Sequence, residues 1–197
     1  MIAHAAGQQS QVINVDQSIQ EICASVSGEN VTLSALGPDK QKVNLTSIVT
    51  MKDYKFGCIT DPETKNFTFE FGADSNFTVM IDAKSKLLFD FGFSIKPVHL
   101  HSETNFQPLI GHPNILTIFP SDPTIIKDLT WITLVPAPPN PKKLKERNLK
   151  LKRVNDGAWA TDPFDIPSDP FSISLLGVDK LGIPLIRDIS KPLTAVS

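Results

Sequence analysis

The sequence predicts an all-β protein made of two consecutive antiparallel β-sandwiches. Short runs in which apolar and polar residues alternate recur along the chain, and this period of two places one face of a strand in a core. Turn residues separate the runs about every eight to twelve residues, a spacing typical of a β-sandwich. The 197 residues include 16 prolines and 12 phenylalanines, which favour turns and strands over helices.

The first ten residues carry no clear pattern, and we expect residues 1–10 to be a disordered lead or linker. The first sandwich then occupies residues 11–86. Its candidate strands are 11–15, 18–26, 31–36, 43–49, 54–59, 67–71 and 77–81.

Aromatic alternation is clearest at the centre of this sandwich. Phe67, Phe69 and Phe71 alternate with polar residues, and a second alternating run covers residues 77–81. The turn residues between the runs, 72–76, include Gly, Asp, Ser and Asn. The pattern predicts that the two strands pair as an antiparallel hairpin.

The second sandwich is predicted for residues 87–197 and is of immunoglobulin-like or fibronectin type III-like size. Its candidate strands are 87–95, 114–119, 129–135, 149–154, 171–176 and 184–189. Proline-rich connections at 120–123, 136–141 and 162–170 exclude long helices there.

Overall charge and hydropathy exclude several classes of function. A net charge of −2 and a pI near 6.1 argue against nucleic-acid binding, since such binders usually carry positive charge. No apolar run approaches the roughly 20 residues that span a bilayer, so we expect no membrane insertion. The amino end lacks the basic flank and apolar centre of a secretory signal. The chain is then either intracellular or a fragment of a longer secreted protein whose signal lies outside it, and we favour the fragment.

No catalytic or metal-binding motif stands out. The chain has no G-x-S-x-G sequence and no phosphate-binding glycine loop. His99, His101 and His112 lack supporting ligands at suitable spacing, so we interpret them as histidines without a metal. The aspartates of residues 162–170 could bind calcium, but Asp–Pro turns explain them more simply. We expect no enzyme activity, no cofactor and no metal.

Four N-glycosylation sequons begin at Asn30, Asn44, Asn66 and Asn76. All lie in the first sandwich at strand edges or turns, where a glycan can reach solvent. They favour the secretory pathway. The two cysteines, Cys23 and Cys58, could form a disulfide or remain as two buried thiols, and the sequons make the disulfide more credible.

One basic run stands out from the otherwise mildly acidic chain. Its cations are Lys142, Lys143, Lys145, Arg147, Lys150, Lys152 and Arg153. Leu149 and Leu151 alternate with Lys150 and Lys152, so the lysines share one face of a strand. Such lysines can protect an edge strand from aggregation, which is the simpler interpretation. They can also attract a sulfated glycan or an acidic partner.

The chain resembles the region of hemicentins that follows their von Willebrand factor A domain. The segments that carry this resemblance are VSGENVTLSALGPDK, ITDPETKNFTFEF, DFGFSIKP, NFQPLIGHPNILTIF and FDIPSDPFSISLLGVDKLGIPLIRDIS. The resemblance implies a secreted matrix protein that supports adhesion. It also implies an A domain upstream that holds the family's metal-ion adhesion site, so no site residue transfers to this chain.

Together, these observations indicate a non-enzymatic structural and interaction unit of an extracellular protein. It would bind an extracellular protein or a sulfated glycan through loops, strand edges and the basic run. One alternative is a carbohydrate-binding module of a secreted hydrolase, which needs an aromatic platform from Tyr54, Trp131 or Trp159. Trp131, however, lies in a run that is typical of a core. A second alternative is an intracellular or viral β-rich protein.

Overall fold

A computed structural model describes residues 2–98, 103–137, 147–154 and 157–196. Among these residues are seventeen β-strands, a 3₁₀ turn at Pro123–Ile125 and no α-helix, so the all-β prediction is confirmed. The chain divides into two compact units, Met1–Lys86 and Leu87–Ser197. No helix in the described part of the chain is long and apolar enough to cross a membrane.

The first unit consists of two antiparallel sheets that share one core. In spatial order, the first sheet contains β1 (Ile2–His4), β9 (Phe77–Ser85), β3 (Ile19–Ser27), β7 (Tyr54–Thr60) and β6 (Thr46–Thr50). The second sheet contains β2 (Gly7–Asn14), β8 (Asn66–Ala73), β4 (Thr32–Leu36) and β5 (Lys42–Val43). Ile22 and Val26 from the first sheet pack with the phenylalanines of β8 in this core.

Most of the described amino-terminal residues lie in the strands Ile2–His4 and Gly7–Asn14, contrary to the expected disordered lead at residues 1–10. Strand β1 pairs with β9, and β2 pairs with β8 from Gly7 opposite Ala73 to Asn14 opposite Asn66. Strand β2 lies at the edge of its sheet, and most of its side chains are exposed. Because polar residues occupy both faces over most of its length, the strand lacks the alternation that reveals a half-buried strand.

The predicted hairpin between β8 and β9 is also wrong, although both strands exist. They belong to different sheets, and residues 74–76 carry the chain from one sheet to the other. Phe69 on β8 and Phe77 on β9 are both buried in the shared core. Strands in opposite sheets of a sandwich can bury their apolar faces against each other. The two strands of a hairpin lie in one sheet, so their apolar faces would lie side by side.

The second unit is also sandwich-like and antiparallel. Its strands follow the order β10 (Phe89–Ser94), β11 (Pro113–Pro120), β14 (Trp159–Thr161), β13 (Arg147–Arg153), β12 (Ile126–Pro136), β16 (Phe171–Asp179) and β17 (Pro184–Leu193). The short β15 (Phe164–Asp165) pairs with β11. Leu116, Ile132 and Leu175 from three different strands are buried in its core with Trp159.

The described part of the basic run, β13, pairs with a different strand over each of its two halves. Strand β13 pairs with β12 through Arg147–Lys150 and with β14 through Leu151–Arg153, so it joins the two halves of the sheet. Its alternation is as expected, because Leu151 is buried while Lys150 and Lys152 are exposed. Each half of β13 therefore has a neighbouring strand on one side only among the described residues, so protection of the other edge still accounts for these lysines.

Candidate interaction surfaces

A disulfide joins the centres of β3 and β7 in the first unit. Cys23 and Cys58 are opposite each other in the strand register, with a Cα–Cα distance of 4.0 Å. The hydroxyl of Thr46, on β6, donates to the carbonyl oxygen of Cys58 at 3.1 Å. That carbonyl thus points away from β3, as in the non-hydrogen-bonded pairs of antiparallel strands, whose side chains approach most closely. The structure therefore shows the disulfide that the sequence left open.

The disulfide lies on the outer face of its sheet. Ile22 and Ala24, which flank Cys23, are buried in the core, so Cys23 points the other way. A carboxylate oxygen of Glu21 is 3.4 Å from the Cys23 sulfur. Glu21, Cys23 and Cys58 are close enough to share a metal ion in principle, but the disulfide occupies both sulfurs.

All four sequon asparagines are exposed: Asn30, Asn44, Asn66 and Asn76. Phe67 and Phe77, the middle residues of two of these sequons, are buried. A glycan on the neighbouring asparagine would therefore project away from the core. The Asn30 side chain differs from the others in donating a 2.7 Å hydrogen bond to Asp74.

The histidine and aspartate candidates form no site among the described residues. His99 and His101 lie outside the described ranges, and His112 is exposed beside β11. Asp162 forms an ion pair with Lys152, and Asp165 is paired opposite Pro113 in the β11–β15 ladder.

Two arginines of the basic run are held against aromatic rings. The Arg147 guanidinium lies 5.7 Å from the centre of the Phe164 ring and donates to the carbonyl oxygen of Asp165. The Arg153 guanidinium lies 5.1 Å from the centre of the Trp159 ring. Both arginines therefore cover aromatic side chains in addition to carrying charge.

The two described lysines of the run differ in their partners. Lys152 donates to both carboxylate oxygens of Asp162, at 2.6 and 2.8 Å. Lys150 has no ion-pair partner among the described residues and points to solvent. Lys142, Lys143 and Lys145 lie outside the described ranges.

The two tryptophans of the second unit have opposite environments. Trp159 is fully buried, and its indole nitrogen donates to Asp128 at 3.3 Å. Trp131 is 42% exposed, contrary to the expectation that it lies in a core run. The ladder between β12 and β16 shifts register between Leu129 and Trp131, so the buried Leu129 and Ile132 are three positions apart and Trp131 faces outward.

Trp131 belongs to a row of cross-strand neighbours on the outer face of four adjacent strands. We call this row, Lys150, Trp131, Leu176 and Ile186, the tryptophan row. Leu176 is 41% exposed and Ile186 is 54% exposed. The three apolar side chains therefore form a continuous exposed strip with a lysine at one end.

A polar row runs beside the tryptophan row, two positions away on each strand. Its members are Asn148, Thr133, Ser174 and Asp188. The Thr133 hydroxyl donates to the Asn148 side-chain oxygen at 2.7 Å. This face of the second unit thus places hydrogen-bonding groups directly beside exposed apolar ones. Periodicity within β12 does not reveal this face, because the bulge changes the orientation of Trp131.

No protein-family model and no curated protein matches this chain. Two solved structures are similar to it at 10% sequence identity. The lipase BlEst2 of Bacillus licheniformis in its propeptide form has a TM-score of 0.44, with 95% of this chain and 39% of that chain covered. A DUF4785 family protein of Legionella pneumophila has a TM-score of 0.45, with 98% of this chain and 61% of that chain covered. This chain therefore spans less than two thirds of either structure.

Proposed function

We propose that this chain is a non-enzymatic interaction module of a secreted matrix or adhesion protein, as its resemblance to hemicentins implies. The observation that carries the proposal is the tryptophan row, a continuous apolar strip left exposed on the outer face of four adjacent strands. Tryptophan is enriched among the residues that dominate binding energy at interfaces. A contiguous exposed apolar patch with polar neighbours is typical of an interaction site.

The disulfide and the sequons support an extracellular setting. Disulfides persist mainly in oxidising compartments, and the Cys23–Cys58 bond argues against the intracellular or viral alternative. The exposure of the sequon asparagines leaves each of them open to a glycan. We further propose that an A-type domain precedes this module in the parent protein.

The charge beside the tryptophan row suggests an anionic partner. Lys150 forms the end of the row, and Lys152 lies on the same face of β13. The Lys152–Asp162 pair is more than half exposed on both sides, with side-chain exposures of 58% and 67%. Such pairs contribute little stability, so Lys152 can exchange Asp162 for another anion. An acidic extracellular protein is our first choice of partner, and a sulfated glycan is the second.

The carbohydrate-binding alternative is favoured by one specific observation. Trp131 is presented outward with the polar row beside it, whereas the sequence suggested that it was buried. A flat aromatic ring flanked by hydroxyl and amide groups can stack on a sugar ring and hydrogen-bond to its hydroxyls. Trp159 cannot contribute to this platform, because it is fully buried.

A binding panel separates these functions. The full chain would be tested against immobilised matrix proteins, heparin-like glycans and neutral oligosaccharides, together with a Trp131→Ser variant. Because truncating a central anchor costs about 2 kcal/mol or more, we expect Trp131→Ser to weaken binding about thirtyfold. Leu181→Ser is the matched control, since Leu181 is 66% exposed but lies in the turn after β16.

Lys150→Glu identifies the kind of partner. It should weaken binding to an acidic protein or sulfated glycan and leave binding to a neutral oligosaccharide nearly unchanged. Loss of binding to a matrix protein supports the adhesion module, and loss of binding to oligosaccharides alone supports the carbohydrate-binding alternative. If the Trp131→Ser variant binds every ligand as well as the unmodified chain does, the tryptophan row is not the interaction surface.

A further inference from the structure

We propose that the first unit also binds a small anionic amphiphile, such as an alkyl carboxylate, in a cleft between the edges of its two sheets. The cleft has a volume of about 400 Å³, within the range of roughly 300–1,000 Å³ found for small-molecule sites. Its apolar lining comes from both sheets and the chain between them: Leu33, Val43, Leu45, Ile48 and Phe56. It lies in the other unit from the tryptophan row and is independent of the proposed adhesion function.

The shortness of β5 creates the cleft. Strand β5 pairs only with Ala35 and Leu36 of β4, although β4 begins at Thr32. On the side of β4 that faces β5, the first residues of β4 therefore have no neighbouring strand in the described part of the chain. The chain leaves β5 after Val43 and enters the other sheet at Thr46, which leaves the sandwich open between these two edges.

Leu45 forms the floor of the cleft. A Cβ atom added to Gly57 would lie 2.8 Å from Cδ1 of Leu45, so the glycine makes room for this leucine against β7. Leu45, Leu33 and Val43 are partly buried and pack against the core of the unit. The base of the cleft is therefore continuous with the core.

Ile48 lies at the mouth of the cleft and is 61% exposed. An apolar chain resting on Ile48 and Leu45 would remove apolar surface from water, which favours binding. A β-strand from another protein fits less well at this edge. The β6–β7 ladder shifts register between Thr46 and Val49, and Ser47 has a φ of 52°. Such irregularities discourage strand addition.

The charged residues that line the cleft indicate which head group the ligand carries. Lys42 on β5 and Lys55 on β7 line the cleft from opposite sheets, and none of the described lining residues is acidic. Neither lysine has an ion-pair partner among the described residues. Two cations beside an apolar cleft favour a ligand with an apolar tail and an anionic head.

Isothermal titration calorimetry of the full chain with decanoate, decanol and decyltrimethylammonium, each below its micellar concentration, tests the proposal. The chain would carry Asn44→Gln, so that all molecules in the titration are identical at the sequon beside the cleft. We expect saturable decanoate binding. Decanol should bind about tenfold more weakly, because it lacks the charge that contacts the two lysines, and the cationic amphiphile should bind more weakly still. Absence of decanoate binding, or equal binding of the cationic amphiphile, would overturn the proposal.

Variants at the two ends of the ligand locate the site. Ile48→Asp should weaken decanoate and decanol binding by about tenfold or more, because it places a charge where the tail rests. Lys42→Gln with Lys55→Gln should weaken decanoate binding about tenfold and leave decanol binding unchanged. Lys84→Gln is the control, since Lys84 is exposed on β9 and does not line the cleft. Unchanged binding by the Ile48→Asp chain would show that decanoate binds elsewhere.

Discussion

Trp131 and Trp159 are the same type of residue in opposite environments, and they should respond differently to truncation. Trp159→Ala removes a fully buried ring and its hydrogen bond to Asp128, so we expect a loss of about 3–5 kcal/mol in the free energy of unfolding. Trp131→Ala should cost clearly less, about 1 kcal/mol, because that side chain is 42% exposed and lies outside the core. Urea denaturation measures both, and equal effects would contradict the outward orientation of Trp131.

The disulfide should stabilise the first unit mainly through the unfolded chain. Cys23 and Cys58 are 35 residues apart, and replacing both with serine should lower the free energy of unfolding by about 2–4 kcal/mol. The bond lies on the outer face of the sheet, so its loss leaves the core side chains in place. Adding a reductant to the unmodified chain should lower its stability to that of the double variant. Full stability of the reduced chain would contradict this account.

At the scale of elements, the pairing of β12 with β16 depends on Gly177. A Cβ atom there would lie 2.5 Å from the carbonyl oxygen of Asp128, close to the bulge that turns Trp131 outward. Gly177→Ala should therefore destabilise the second unit by about 1–3 kcal/mol, measured by thermal or urea unfolding. Ser174→Ala on the same strand is the control, and its effect should stay within about 0.5 kcal/mol.

The sequence predicts where strands lie better than it predicts how they pair. The alternation of Phe67, Phe69 and Phe71 gives both a strand and its buried face correctly, and the structure confirms both. The partner of that strand is not encoded in its neighbours, because the turn at 74–76 can close a hairpin or lead to the opposite sheet. Burial of Phe77 against the same core favours the second outcome.

The candidate surfaces are also predictable only in part, because they depend on how strands pair. The alternation of β13 correctly places Lys150 and Lys152 on the outer face. The orientation of Trp131 depends on a bulge in the pairing with β16, which periodicity in one strand does not reveal. The cleft of the first unit brings together residues of β4, β5, β6 and β7, so it becomes visible only when the two sheets are assembled.

At the scale of the whole molecule, the two units have separate hydrophobic cores that share no residue. Separate cores unfold as separate cooperative groups unless a large interface couples them. Phe69→Ala should therefore accelerate amide hydrogen exchange in β3, β7 and β8 while leaving β12 and β16 protected. Leu134→Ala should accelerate exchange in β12 and β16 and leave β3, β7 and β8 protected. Faster exchange in both units from either variant would show that they unfold together.

We propose that this chain is an extracellular module that folds in the secretory pathway. The most direct test of this proposal is the intact mass of the chain secreted from a eukaryotic cell behind an added signal, before and after glycosidase and reduction. We predict glycan mass at several of Asn30, Asn44, Asn66 and Asn76. We also predict a gain of about 2 Da on reduction, from the two hydrogens taken up when one disulfide opens. Unmodified asparagines and two free thiols would contradict the claim and favour an intracellular protein.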